Sequence, residues 1–139
     1  MEQELGFTVI LETPYEQAIE VVTAALKTQG FGVLTRIDVR ATLQEKLGVD
    51  FRPYAILGAC NPPLAHRALS RMPEIGLLLP CNVTVEESAP GQSLVRFINP
   101  QAMLQGLTPA GDAVLAEVAA DALRRFKRVM EALAQDQPA

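Results

Sequence analysis

Two strand patterns joined by a turn constrain the fold more than any other feature of the chain. Residues 76–86 form the longest strand pattern, interrupted by Pro80, and residues 92–98 form a second one. The residues SAPG between them are typical of a turn. The pair predicts an antiparallel hairpin, which disfavours a doubly wound parallel sheet.

Helical and strand periodicities alternate along the rest of the chain. Strand patterns cover residues 5–11, 31–37 and 54–59, and helical patterns cover residues 14–29, 39–47 and 62–71. NPQAML indicates a short helical turn, and a last helix is expected from the TPAG motif at residues 108–111 to about residue 134. Its predicted buried stripe is Leu115, Val118, Ala122, Phe126, Val129 and Leu133.

The boundary residues of the helices are also predictable. Thr13 is expected to be the N-cap of the first helix, with Pro14 as its first residue and Glu16 completing a capping box. Asp38 is expected to cap the second helix, and Gly48 to end it.

The resulting element order, β-α-β-α-β-α-β-β-α, predicts an α+β fold with an antiparallel or mixed sheet and helices on one face. The other face would carry apolar residues without cover, and a dimer is one way to bury them. A length of 139 residues, 49% of them hydrophobic, fits one domain with a frayed tail at 135–139. With 5% aromatics and no Trp, the core is expected to consist of Leu, Val, Ile and Ala.

Charge and hydropathy argue against two classes of partner. The net charge is −4 and the isoelectric point is about 5.0, which disfavours nucleic-acid binding. The basic cluster Arg124, Arg125, Lys127 and Arg128 is better explained as a solvated helix face than as a phosphate site. No apolar run has the length of a membrane span, and MEQELGF lacks a signal-peptide pattern. A cytoplasmic protein with two free thiols is therefore expected.

The segment ILGACNPPLAHRAL, residues 56–69, contains the candidate site. Asn61 precedes two prolines and is the natural N-cap of the third helix, which places Cys60 near the positive end of the helix dipole. Such a position can lower the pKa of a thiol. His66 follows about one turn later. The structural alternative is a buried Cys60, a capping Asn61 and a surface His66, and it is favoured for Cys60 taken alone.

A second Cys-Asn pair occurs at Cys81 and Asn82, after Pro80. If its strand adjoins that of Cys60, the two pairs could meet and form a dithiol or a Zn or Cu(I) site. The spacing matches no zinc-finger or zinc-ribbon pattern, so no metal ligand is assigned.

Other candidates are weaker. Arg52 in LGVDFRPY could bind a carboxylate or phosphate, but a contact with Asp50 or Glu45 explains it as well. Glu86 and Glu87 are expected to be solvated hairpin residues. Because no P-loop, dinucleotide fingerprint or nucleophile motif is present, the sequence assigns neither a reaction nor a cofactor.

Three pieces together resemble the domain-of-unknown-function 302 family: ACNP at residues 59–62, LLPCNV at 78–83, and Leu47, Gly48, Asp50, Pro53 and Tyr54 of LGVDFRPY. The similarity runs from about Phe7 to the end of the last helix. It implies a TATA-binding-protein-like α+β fold with a curved antiparallel sheet, and a homodimer. The family has no established activity, so the resemblance implies no catalytic residue.

Three hypotheses about function follow. The first is a dimeric module that binds a small ligand near the start of the third helix, using Cys60, Asn61, Arg52, His66, Cys81 and Asn82. The second is a thiol-based redox or metal-binding protein that uses Cys60 and Cys81. The third is an interaction protein in which both cysteines only pack. The first is preferred.

Overall fold

A five-stranded sheet forms the centre of the molecule. The structure, a computed structural model, describes residues 4–105 and 112–135. Every strand pairing is antiparallel, and the strands lie in the order β1-β5-β4-β3-β2. Their bounds are β1 Gly6–Leu11, β2 Gly32–Asp38, β3 Tyr54–Cys60, β4 Cys81–Ala89 and β5 Gln92–Ile98. The α+β prediction is confirmed, whereas the likeness to the TATA-binding protein stays a prediction.

Helices follow most strands. They are α1 Tyr15–Thr28, α2 Val39–Leu47, α3 Pro62–Arg71, α4 Pro100–Gln105 and α5 Ala113–Gln135. The predicted bounds of α2 and α3 are confirmed. At α2, Asp38 Oδ1 accepts a hydrogen bond from Ala41 N at 2.9 Å. Gly48 ends the same helix with a φ of +67°, which glycine adopts without steric cost.

The start of α1 differs from the prediction. Pro14 has an extended backbone and occupies the N-cap position, and no side chain caps the helix. The predicted capping box of Thr13 and Glu16 does not form, so that prediction is wrong. The backbone carbonyl of Thr13 instead accepts a hydrogen bond from Ser93 Oγ at 2.7 Å, which ties the β1–α1 loop to β5.

The hairpin is confirmed, but its first strand begins later than predicted. Residues Pro73–Leu78 form a 3-10 helix, and β4 starts only at Cys81. Ile75 on that 3-10 helix is 1% exposed and packs into the core, whereas Leu77 is 85% exposed. The apolar run therefore buries one side chain per turn rather than alternate residues, which is how a helical segment uses such a run.

The final helix buries the predicted stripe. All six stripe residues are buried. Within the described residues α5 begins at Ala113, and the carboxylate of Asp112 accepts a hydrogen bond from Leu115 N at 3.1 Å. The predicted TPAG start at residues 108–111 lies outside the described residues, as do residues 136–139 of the predicted tail.

The core lies between the sheet and the helices α1 and α5. Apolar side chains of α1, α5 and alternate strand positions form a first buried cluster, and α3, the 3-10 helix, α4 and α5 form a second. Met103 packs against both clusters. Three phenylalanine rings contact one another in the first cluster: the centroid of Phe126 lies 4.6 Å from that of Phe31, in a stacked pair, and 5.5 Å from that of Phe97, in a tilted pair. The core is thus more aromatic than the composition predicted.

The opposite face of the sheet is open to solvent. Ile10 on this face is 54% exposed and Ile37 is 48% exposed. At one edge of the sheet, none of the seven residues of β2 is fully buried. Among the described residues, no helix combines the length and the apolar character needed to cross a bilayer.

Candidate functional site

The two Cys-Asn pairs meet at one end of the sheet, where β3 ends and β4 begins. Ala59 is the register partner of Cys81, and Gly58 is the partner of Asn82. The hypothesis that the two strands are neighbours is therefore right. Cys60 and Cys81 are offset by one register position, so they are neighbours but not a directly opposed cross-strand pair. Both cysteines are free thiols.

A small apolar cavity adjoins this end of the sheet. Its volume is about 50 Å³, and it lies where the two core clusters meet. Nearly all of its surface is apolar, so it suits an apolar guest better than a water molecule, which needs polar partners. Its walls come from the ends of β3 and β4 and from α3, α4, α5 and the 3-10 helix, and they include Cys60, Asn61, Cys81, Ala68, Ala119 and Ala122.

Asn61 joins three helices beside the cavity. Its Oδ1 accepts a hydrogen bond from Leu64 N at 3.3 Å, as the predicted N-cap of α3. Its Nδ2 donates to Gln29 O at the end of α1, at 3.2 Å. Arg125 Nη1 on α5 donates to the same carbonyl at 2.9 Å, and Arg125 Nε donates to Asp121 at 3.0 Å. Both the oxygen and the nitrogen of the Asn61 amide thus form hydrogen bonds that hold the fold.

Arg125 was assigned to a solvated helix face, and that prediction is wrong for this residue. Its guanidinium closes the C-terminal end of α1, where carbonyl groups lack intrahelical donors. Gly30 follows Gln29 with a φ of +82°, and a Cβ atom there would lie 3.0 Å from Asn61 Nδ2. The close approach of these groups explains why glycine suits this position.

The thiols have raised pKa values, not lowered ones. Burial raises the pKa of Cys60. Burial and the nearby Cys60 raise the pKa of Cys81 to about 11. The position of Cys60 at the start of α3 therefore does not activate its thiol, since desolvation of the thiolate is the dominant effect. Both cysteines are thiols at neutral pH.

Three of the predicted site residues lie away from the cavity wall. His66 is exposed on α3, and Asn82 is exposed on the open face of the sheet. Arg52 precedes β3, whereas Cys60 ends it, and a strand of seven residues separates their positions. That strand spans roughly 20 Å at about 3.3 Å per residue. A single site containing all six predicted residues is therefore excluded.

Arg52 belongs to a polar cluster on the open face that the sequence did not predict. Its Nε lies 3.6 Å from Glu86 Oε2, and Arg96 Nη1 contacts Glu86 Oε1. Glu86 is only 6% exposed, so the prediction of a solvated residue is wrong. The predicted partner Asp50 pairs with Arg40 instead, at 3.7 Å.

The residues of this polar cluster are far apart in sequence, which is why pattern analysis missed it. The only signal for this cluster in the sequence is the carboxylate of Glu86, which occupies an alternating position in a strand pattern. No metal site is found among the described residues. Within residues 4–105 and 112–135, no group of three or more His, Cys, Asp or Glu side chains could hold a metal ion.

Comparison with known proteins matches this chain to one family. The model of the family described as "Domain of unknown function DUF302" matches residues 7–133. The chain belongs to the DUF302 family. A solved DUF302 structure, an uncharacterized conserved protein from Bacillus stearothermophilus, shares 33% sequence identity with it. The match covers 93% of this chain and 98% of that chain, with a TM-score of 0.81. No curated protein matches the chain. DUF302 membership thus agrees with the fold and assigns no activity.

Proposed function

We propose that the protein is a binding module for a small apolar ligand, which occupies the cavity at the Cys60–Asn61 end of β3. The supporting observation is a partly open apolar cavity of about 50 Å³ where the two core clusters meet. Protein interiors contain few voids larger than a water molecule, because the atoms around a void lose dispersion contacts. A guest of matching size restores those contacts.

The lining sets the chemical class of the ligand. The Asn61 amide is already bonded to Leu64 and Gln29, so it offers little to a ligand. The Cys81 thiol stays protonated, because burial raises its pKa to about 11, and it presents a soft, weakly polar surface. The ligand is therefore small, uncharged and mainly apolar.

The thiol-based alternative has less support. Both thiols have raised pKa values, whereas a reactive cysteine needs an accessible thiolate. The described residues also offer no third ligand that could join the two cysteines at a metal. Ligand binding requires none of these features.

Xenon is a suitable probe of the cavity, because apolar cavities that admit benzene are about three times larger, roughly 150 Å³. Dissolved xenon should bind to the wild-type protein and shift the ¹²⁹Xe NMR signal. Ala119→Leu places side-chain atoms in the cavity and should abolish this shift. Ala116→Leu on the exposed side of α5 is the matched control and should leave it intact. No shift with the wild-type protein would refute the proposal.

We also propose that the protein forms a homodimer through a β2–α2 surface, defined as Leu34, Ile37, Leu47 and Val49. These side chains are between 44% and 68% exposed and belong to one continuous segment. β2 is also an edge strand, which exposes backbone groups that another chain can pair. Exposed apolar side chains that form a contiguous patch mark protein–protein contacts.

Sedimentation of two variants tests the dimer. Leu34→Glu places a charge on the β2–α2 surface and should convert a dimer of the wild-type protein into a monomer. Leu77→Glu is the matched control, because Leu77 is 85% exposed on the 3-10 helix outside this surface. A monomeric wild-type protein, or a dimer that survives Leu34→Glu, would contradict the proposal.

The proposal also includes a single domain, a cytoplasmic location and no nucleic-acid partner. The two core clusters share Met103, which supports a single domain. Two free thiols suit the reducing cytoplasm. The net charge of −4 supports a partner other than nucleic acid.

A further inference from the structure

Glu86 is a buried carboxylate on the open face of the sheet. Its side chain is 8% exposed although neither α1 nor α5 covers this face. Each carboxylate oxygen faces one guanidinium: Oε1 contacts Arg96 Nη1, and Oε2 lies 3.6 Å from Arg52 Nε. Burying a carboxylate is costly unless cations compensate it, so Glu86 and the two arginines hold each other in place.

The two guanidiniums keep most of their hydrogen-bonding capacity. Each carries five N–H donors in a planar fork. Arg96 donates to Glu86, while Arg52 forms a longer ion pair and stacks over the Phe51 ring, 4.6 Å from its centroid. Neither forms another hydrogen bond within the part of the chain that the structure describes. Their side chains are 46% and 52% exposed, so positioned donors face solvent.

An unpartnered hydroxyl lies beside Arg96. Thr84 is the cross-strand partner of Arg96, and its Oγ1 is buried without a hydrogen-bond partner. Buried polar groups are nearly always satisfied, so this hydroxyl is available to a hydrogen-bonding partner in the groove that it lines. A groove with a largely apolar wall passes Thr84 and Arg96 and continues to Ile98 and Gly6.

We propose that this face binds a monocarboxylate with an apolar body, the carboxylate on Arg96 and the body along the Ile98–Gly6 groove. A planar guanidinium fork matches a carboxylate. Glu87 lines the Arg52 end of the cluster and Glu4 lines the groove. These two carboxylates disfavour a ligand with several negative charges, such as a phosphate, and place the anionic group at Arg96. This site is separate from the cavity.

Octanoate, 1-octanol and acetate separate the two parts of the ligand. Titration of the full chain by calorimetry and by ¹⁵N NMR should show octanoate binding, with shifts on β4 and β5. Both 1-octanol, which lacks the carboxylate, and acetate, which lacks the apolar body, should bind at least tenfold more weakly. Arg96→Gln should weaken octanoate binding about tenfold or more, since it removes a charge-assisted contact.

Three further variants control for misfolding and test where octanoate binds. Arg96→Gln leaves Glu86 short of a cation, so Arg96→Gln is also made together with Glu86→Gln, which removes the buried charge. Thr84→Val replaces the orphan hydroxyl with a methyl group. It should leave the Tm unchanged or higher and weaken octanoate binding about threefold. Ala119→Leu should leave octanoate binding unchanged.

Three results would overturn the inference. One is the absence of octanoate binding to the wild-type protein. Another is equal affinity in the wild-type protein and in both Arg96 variants. The last is octanoate binding that Ala119→Leu abolishes and Arg96→Gln preserves, which would place octanoate in the cavity.

Discussion

Replacing Asn61 with alanine tests whether this residue holds the fold or serves a ligand. The change removes the N-cap acceptor of Leu64 N and the donor to Gln29 O. Loss of an N-cap side chain costs about 1 kcal/mol, and the Leu64 N–H is left buried without an acceptor. The lost bond to Gln29 adds about 1 kcal/mol at most, because Arg125 still donates to that carbonyl. We expect a loss of about 2 kcal/mol in unfolding free energy, or about 8 °C in Tm.

Urea denaturation, followed by circular dichroism, measures this loss. Asn61→Ser keeps a capping oxygen but is too short to reach Gln29, so it should cost about 1 kcal/mol and separate the two contributions. Asn82→Ala is the matched control from the second Cys-Asn pair, because Asn82 is exposed, and it should change stability by less than about 0.5 kcal/mol. The structural role would be refuted if Asn61→Ala stayed within about 0.5 kcal/mol of wild type while xenon binding was lost.

Three further perturbations follow from the same structure. Iodoacetamide at pH 7 should label Cys60 slowly and Cys81 hardly at all, since burial raises both pKa values, that of Cys81 to about 11; rapid labelling of native Cys60, read by mass spectrometry, would contradict this. Gly58→Ala places a Cβ 2.2 Å from Thr35 Oγ1 and should cost about 2 kcal/mol in urea denaturation, whereas Gly32→Ala meets no atom within 4 Å and serves as control. The Leu115 N–H and Arg71 lower the pKa of Asp112 below 3.8, so Asp112→Asn should destabilise the protein at pH 7. This difference should shrink as the pH falls below about 4, through the folded-state pKa, and a difference that grows in acid would contradict it.

Local signals were sufficient wherever one side chain decides a boundary. Asp38 and Gly48 bracket α2 as predicted, because capping by a carboxylate and termination by a left-handed glycine depend only on neighbouring backbone. At residues 76–79 the local signal was ambiguous. A short apolar run suits a buried strand and a helical turn equally well, and only the packing of Ile75 against the second core cluster selects the turn.

Side chains that act across the fold were not predictable from neighbouring residues. Glu86 and Arg96 are ten positions apart, yet they meet across the β4–β5 hairpin, whose register no local pattern specifies to one residue. Arg125 reaches a carbonyl 96 positions away. Charged residues on amphipathic helices are usually solvated, so the solvated-face prediction for Arg125 followed the general rule and missed a specific tertiary contact.

The two Cys-Asn pairs differ because one ends a strand and the other begins one. In β4 the pair starts the strand, so alternation turns Cys81 toward the helices and Asn82 toward the open face. In β3 the pair straddles the end of the strand: Cys60 is its last residue, and Asn61 lies beyond it, where it caps α3. The same dipeptide thus provides a buried thiol in one place and a helix cap in the other. This explains why the two pairs adjoin at one end of the sheet and yet have different structural roles.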